Sequence, residues 1–175
     1  GNIEKTYGKI TPKSAQEIGE AYIEQVRAIS DESRSAKMIT DKMPGNYGKI
    51  GMILSALPKA KIIHCRRNPI DPCLSCYKQL FAVGHYWSYN FDAMAKQYEL
   101  YMNIMAHWRS LYPDQFLEIN YEDTVEDFEN QARQLIDYVG LKWNDACLTP
   151  HKSKRAVMTA SKGQVRKPIY KTSVE

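Results

Sequence analysis

Apolar and polar positions follow two periods along this chain, and the changes of period mark its elements. In residues 11–30, Ala15, Ile18, Tyr22, Val26 and Ile29 recur at three- and four-residue steps, which predicts an amphipathic helix. Thr11 or Ser14 caps it, Pro12 suits its first turn, and Ser14 with Glu17 forms a capping box. Polar residues 30–35 break the pattern. AKMITD (36–41) predicts a short strand, Pro44-Gly45-Asn46 a turn, and 47–57 a helix that stops before Pro58. Residues 61–66 predict a second strand. The next helix takes Asn68 as its cap, Pro69 as its first residue and Asp71 in its first turn. Residues 90–112 carry the strongest helical stripe: Phe91, Met94, Tyr98, Tyr101, Met105, Trp108 and Tyr112. QFLEINY (115–121) predicts a third strand. Asp123 and Glu126 box the start of a helix with the face Val125, Phe128, Ala132, Leu135, Val139, and Gly140 ends it. Regular patterning is lost after about residue 149.

Strands separated by helices predict an α/β fold, a parallel sheet flanked by helices, in one domain over residues 1–175. Ligands of such sheets sit beyond the carboxyl ends of the strands. Asp41-Lys42, Arg66-Arg67 and Tyr121-Glu122 are therefore expected to converge on one edge.

Composition changes this picture little. Of the 175 residues 43% are hydrophobic and 25% charged, as in ordinary globular proteins. No apolar run approaches the roughly 18–20 residues of a membrane span. The net charge of +4 is mild. Its distribution says more: residues 146–174 contain no Asp or Glu but carry Lys152, Lys154, Arg155, Lys162, Arg166, Lys167 and Lys171. Such a segment is either a solvated tail or one that seeks an anion. Cys65, Cys73, Cys76 and Cys147 do not form a disulfide framework pattern, which points to a reducing, cytoplasmic setting.

The candidate chemistry centres on KIIHCRRNPIDPCLSCY (61–77). Arg67 leaves a buried strand, and Ser75 follows eight residues later in the next helix. A guanidinium, a hydroxyl and the free N–H groups of a helix start suit a dianionic phosphate. Other readings exist. Cys73-Leu74-Ser75-Cys76 is a C-x-x-C at a helix start, the setting of a thiol redox protein. His64, Cys65, Cys73 and Cys76 make a metal site awkward, because consecutive strand residues face opposite ways. The basic tail and twelve tyrosines allow a nucleic-acid-binding domain, although most tyrosines fall on helical apolar faces. His85, Tyr86, Trp87 and Tyr89 form an aromatic loop suited to lining an acceptor cleft or to packing.

Four segments taken together, TDKMP (40–44), KIIHCRRNPIDPCLSCY (61–77), INYEDTV (119–125) and TASKGQVRKPIY (159–170), resemble the PAPS-dependent sulfotransferases. The similarity is closest to the bacterial branch akin to tyrosylprotein sulfotransferases and covers about residues 11–175. The resemblance implies transfer of a sulfuryl group from 3′-phosphoadenosine 5′-phosphosulfate (PAPS) to a hydroxyl or amine, without a metal. It implies that Arg67 and Ser75 hold the 3′-phosphate of PAPS or of the product, 3′-phosphoadenosine 5′-phosphate. Lys42 then lies by the transferring group, Tyr121 beside the adenosine and Ser161 near the sulfuryl group. Ser161 to Tyr170 become a loop over the nucleotide, with Lys162, Gln164, Val165, Arg166 and Lys167 among its contacts. The irregular basic stretch 150–175 is this loop.

The chain departs from the family's pattern in one respect. It contains no G-x-x-x-x-G-K-[ST] and no Ser-Gly-Thr-Thr-like run, and Gly45-Asn46-Tyr47-Gly48-Lys49 lacks the spacing. The family's P-loop-containing, nucleotide-hydrolase-like sheet would then lack its first strand and its donor loop, and the acceptor's catalytic base belongs to the same portion. A start at Gly1 and an end at Glu175 fit a truncated domain with impaired activity. Its exposed sheet edge would favour self-association.

Overall fold

A computed structural model of the protein describes residues 10–81, 84–153 and 168–169. The chain divides into two compact units, Gly1–Ala60 with Ala95–Gln115 and Lys61–Met94 with Phe116–Glu175. The basic loop at 159–170 falls outside the described residues, except for Pro168 and Ile169.

The first unit is helical. Helix α1 (Pro12–Ala28) starts where Thr11 and Ser14 exchange bonds: the Ser14 N–H donates to Thr11 Oγ1 at 3.1 Å and the Thr11 N–H to Ser14 Oγ at 2.8 Å. This reciprocal box replaces the Ser14–Glu17 one that the spacing suggested. Glu17 instead faces Lys13 at 3.9 Å. Helix α2 (Asp31–Ser35) follows, then a 3-10 turn (Pro44–Lys49) leading into α3 (Ile50–Ala56).

The strand expected at 36–41 does not form. A short strand-like run does not form a strand without a ladder partner. Side chains of α1 hold this segment instead. Arg27 Nη1 donates to the Ala36 carbonyl at 3.5 Å, besides the Arg34 carbonyl of α2 at 2.8 Å, and Tyr22 Oη donates to Asp41 Oδ2 at 2.7 Å.

Helix α5 (Phe91–Leu111) begins in the second unit and continues in the first. Its Trp108 Nε1 donates to the Tyr47 carbonyl at 2.7 Å, and its Gln97 to the Tyr47 hydroxyl at 2.9 Å. Two glycines permit close helix packing. A Cβ at Gly19 of α1 would collide with the Ala56 carbonyl oxygen, and one at Gly51 would lie 2.7 Å from the Trp108 ring. Ala15, Ile50, Leu54 and Met105 are buried around these contacts.

The second unit carries the sheet. Among the described residues it has two strands, β1 (Ile62–Arg66) and β2 (Phe116–Asn120), parallel and in the register Ile62↔Phe116 to Arg66↔Asn120. His64 and Glu118 stand directly opposite, with Nδ1 and Oε1 2.8 Å apart. His64 is only 8% exposed, so this partner satisfies a buried polar ring. After β1 comes α4 (Ile70–Lys78). After β2 come α6 (Tyr121–Glu126) and α7 (Phe128–Tyr138), which ends just before Gly140. The box expected between Asp123 and Glu126 is absent, because the chain turns helical at Tyr121. Thr124 Oγ1 donates to the Asn120 carbonyl at 2.8 Å, and the Asn120 amide donates to Asp123 at 2.8 Å. The α/β character expected from the sequence is thus present, with a smaller parallel sheet than three strands.

Two outcomes test this packing. Gly19→Val should destabilise the protein by about 1–3 kcal/mol, the range for overpacking, read by urea unfolding. An unchanged midpoint would contradict the close approach. Tyr22 should titrate above the ordinary tyrosine value of 10.0, because its hydrogen bond to Asp41, then burial, then the Asp41 charge favour the neutral phenol. Its contribution to stability is complete below that ordinary value and is lost as pH rises through the raised one. Asp41→Asn should lower the tyrosinate transition in an ultraviolet titration.

Candidate functional site

Parallel pairing brings the carboxyl ends of β1 and β2 side by side, so the residues leaving the two strands meet. Arg67 follows β1 and Tyr121 follows β2. The Arg67 guanidinium lies 4.4 Å from the centroid of the Tyr121 ring, a cation–π contact. Arg67 Nε and Nη2 both reach Asp71 Oδ2, at 2.9 and 2.8 Å. Asp71 and Ser75 are four residues apart on α4 and so share one face. Ser75 is exposed there. Arg67, Asp71 and Ser75 thus form one row, backed by the Tyr121 ring at the arginine end. With 36% and 34% of their side chains exposed, Arg67 and Asp71 form a pair of the kind worth about 0.3–0.5 kcal/mol, which orients more than it stabilises.

The start of α4 differs from the sequence expectation. Its N–H groups were read as free to bind an anion, but the protein itself uses them. The Glu122 carboxylate accepts from the Asn68 N–H at 2.8 Å, and the Asn68 side chain accepts from Ile70 N–H at 3.1 Å. The helix opens one residue later than expected, at Ile70, with Pro69 and not Asn68 in the cap position. The Asp71 N–H donates to the Asn68 carbonyl at 3.2 Å and the Cys73 N–H to the Pro69 carbonyl at 3.1 Å. Pro69 and Pro72 have no N–H. An anion at this junction must therefore be met by side chains, Arg67 and Ser75 foremost.

The other predicted residues fall on the first unit or outside the described residues. Lys42 belongs to the first unit, exposed in the extended segment just after Asp41, which Tyr22 holds. Ser161, Lys162, Gln164, Val165, Arg166 and Lys167 lie outside the described residues. Clefts of about 390 Å³ along α1 and α3 and about 370 Å³ beside Trp108 lie on the first unit, and none of the predicted site residues lines them. The aromatic loop forms a 3-10 turn (Tyr86–Tyr89), with Phe81, His85 and Trp87 in successive ring contact and Tyr86 exposed. Among the described residues no group of three or more His, Cys, Asp or Glu is placed to hold a metal ion. Burial, and then the neighbouring Cys73, push the Cys76 thiol up, the reverse of what a reactive C-x-x-C needs. Among the described residues no helix is long and apolar enough to cross a membrane.

Sequence reasoning missed Asp71 and Glu122 as parts of the junction. An Arg and an Asp four apart was a readable signal for the first, although Asp71 was read only as a first-turn charge. Glu122 was visible as a strand-end residue. Its bond to Asn68 spans 54 positions and depends on the parallel pairing.

Comparison with known proteins bears on this geometry. A model of the sulfotransferase family matches residues 6–145, well over half of the chain. An uncharacterized protein of Aquifex aeolicus (strain VF5) is 39% identical over 157 residues, covering 88% of this chain and 20% of that protein. The omega-hydroxy-beta-dihydromenaquinone-9 sulfotransferases Stf3 of Mycobacterium bovis and Mycobacterium tuberculosis are each 28% identical over 116 residues, covering 62% of this chain and 30% of theirs. The chain thus spans a fifth to under a third of the length of these relatives. By the extent of the family match, and in agreement with the motifs at 40–44, 61–77 and 119–125, the chain belongs to the sulfotransferase family.

Proposed function

We propose that this chain serves sulfuryl transfer from PAPS to a hydroxyl or amine acceptor, and that its β1–α4 junction holds the 3′-phosphate of the nucleotide. The observation that carries the reading is the Arg67 guanidinium, set at the carboxyl end of β1 against Tyr121 and Asp71. The donor set fits a phosphate dianion. Arg67 supplies forked charge-assisted bonds and Ser75 a neutral hydroxyl, while the occupied N–H groups of α4 leave this work to side chains.

When bound, PAPS supplies an activated sulfuryl group with the 5′-phosphate as its leaving group. The roles assigned to the chain are electrostatic and positional. Lys42 offsets negative charge on the leaving oxygen, a contribution commonly worth about 3–4 kcal/mol of barrier. Tyr121 flanks the adenosine. Ser161 hydrogen-bonds near the sulfuryl group, and Lys162, Gln164, Val165, Arg166 and Lys167 contact the nucleotide. The mycobacterial relatives are named for a hydroxylated acceptor, which makes a hydroxyl the first acceptor to test. Four unpaired thiols fit a reducing cytoplasm. A sheet with two strands among the described residues is small for independent stability, which supports pairing with a second copy.

Calorimetric titration with 3′,5′-adenosine bisphosphate tests the site. Arg67→Ala should weaken binding by about 10- to 100-fold and Ser75→Ala by about 3- to 10-fold, the scales of charged and neutral hydrogen bonds. Undiminished binding by Arg67→Ala would remove the assignment.

A further inference from the structure

A phosphate-binding role does not by itself call for a carboxylate at Arg67, since one anion beside a guanidinium opposes another. Yet Asp71 meets Arg67 through two nitrogens, at 2.9 and 2.8 Å, while the Tyr121 ring lies 4.4 Å away on the guanidinium's face. The ring fixes the plane of the guanidinium, and the carboxylate fixes its rotation within that plane. Asp71 also stands on the helix that carries Ser75, four residues earlier. The element that presents the hydroxyl therefore also aims the arginine.

We infer that Asp71 is a positioning residue of the anion site, holding Arg67 in the pose that receives a phosphate while offsetting part of its charge. This inference rests on the reading of Arg67 and Ser75 as phosphate holders. The two effects of Asp71 oppose each other. Ordering a long, rotamer-rich side chain on binding weakens affinity about 2- to 10-fold, and a pre-set arginine avoids that loss. The partly exposed carboxylate repels the ligand through a screened interaction and takes back only part of this. Chemistry separates the two. Asn at position 71 keeps an acceptor oxygen for the Arg67 Nε–H without the charge, whereas Ala keeps neither.

The test is calorimetric titration of the full 175-residue chain with 3′,5′-adenosine bisphosphate, with unfolding curves for every variant. Asp71→Ala should bind about fivefold more weakly despite losing a negative charge, and Asp71→Asn as tightly as wild type or more so. In an Arg67→Ala background, Asp71→Ala should change nothing further. A single Asp71→Ala variant that binds as well as wild type overturns the inference, because the carboxylate is then only a countercharge. An equal penalty in both backgrounds also overturns it, since the effect then lies in the stability of α4. Should Asp71→Ala not fold, Asp71→Asn decides alone, and a loss beyond about fivefold there contradicts a positioning role. Undiminished binding by Arg67→Ala, or no binding by wild type, defeats the functional reading itself and the inference with it. Loss on Arg67→Ala without any effect of Asp71→Ala defeats the inference alone.

Discussion

The parallel register of β1 and β2 is the constraint on which the candidate site depends. Parallel strands send both chain exits off the same edge, so Arg67 and Tyr121 meet although 54 residues separate them. A one-residue slip would turn the side chains of one strand to the other face and move its exit. The pairing of buried His64 with Glu118 at the centre of the ladder specifies the register. Displaced from Glu118, the buried His64 ring would lose this bond.

The local charges then decide what the junction can do. Asp71 sits on Arg67, and Glu122 sits on the Asn68 N–H. One carboxylate thus stands on the guanidinium and another on the backbone that follows it, and the helix start has no N–H among residues 68–73 that is not already used or absent in proline. In the reading proposed above, Arg67 meets the anion in the pose set by Asp71 and Tyr121, with the Ser75 hydroxyl on the helix that follows, and selectivity then comes from geometry more than from net charge.

Much of this was legible along the chain. The helical stripes over 11–30 and 90–112, the strand-like runs at 61–66 and 115–121, and the Arg67–Ser75 spacing all point to the observed elements, although the strands are less buried than expected, with His64 their one buried residue. The failures share one physical cause. AKMITD reads as a short strand, but strand formation depends on a neighbour, and side chains from α1 bind the segment instead. Asp123 and Glu126 fit a capping box, but the chain bends into α6 as soon as β2 ends at Asn120. Glu122 on Asn68 and Glu118 on His64 are pairings across the ladder, invisible to any local window. Local periodicity identifies elements, whereas the charge accounting of the site needs their topology.

The central claim is that Arg67 reads a 3′-phosphate, and the most direct measurement follows the nitrogen–proton resonance of its Nε–H during nucleotide titration. The resonance should move on addition of 3′,5′-adenosine bisphosphate and stay in place with adenosine 5′-monophosphate, which lacks the 3′-phosphate. An identical response to both nucleotides, or none to either, would contradict the account.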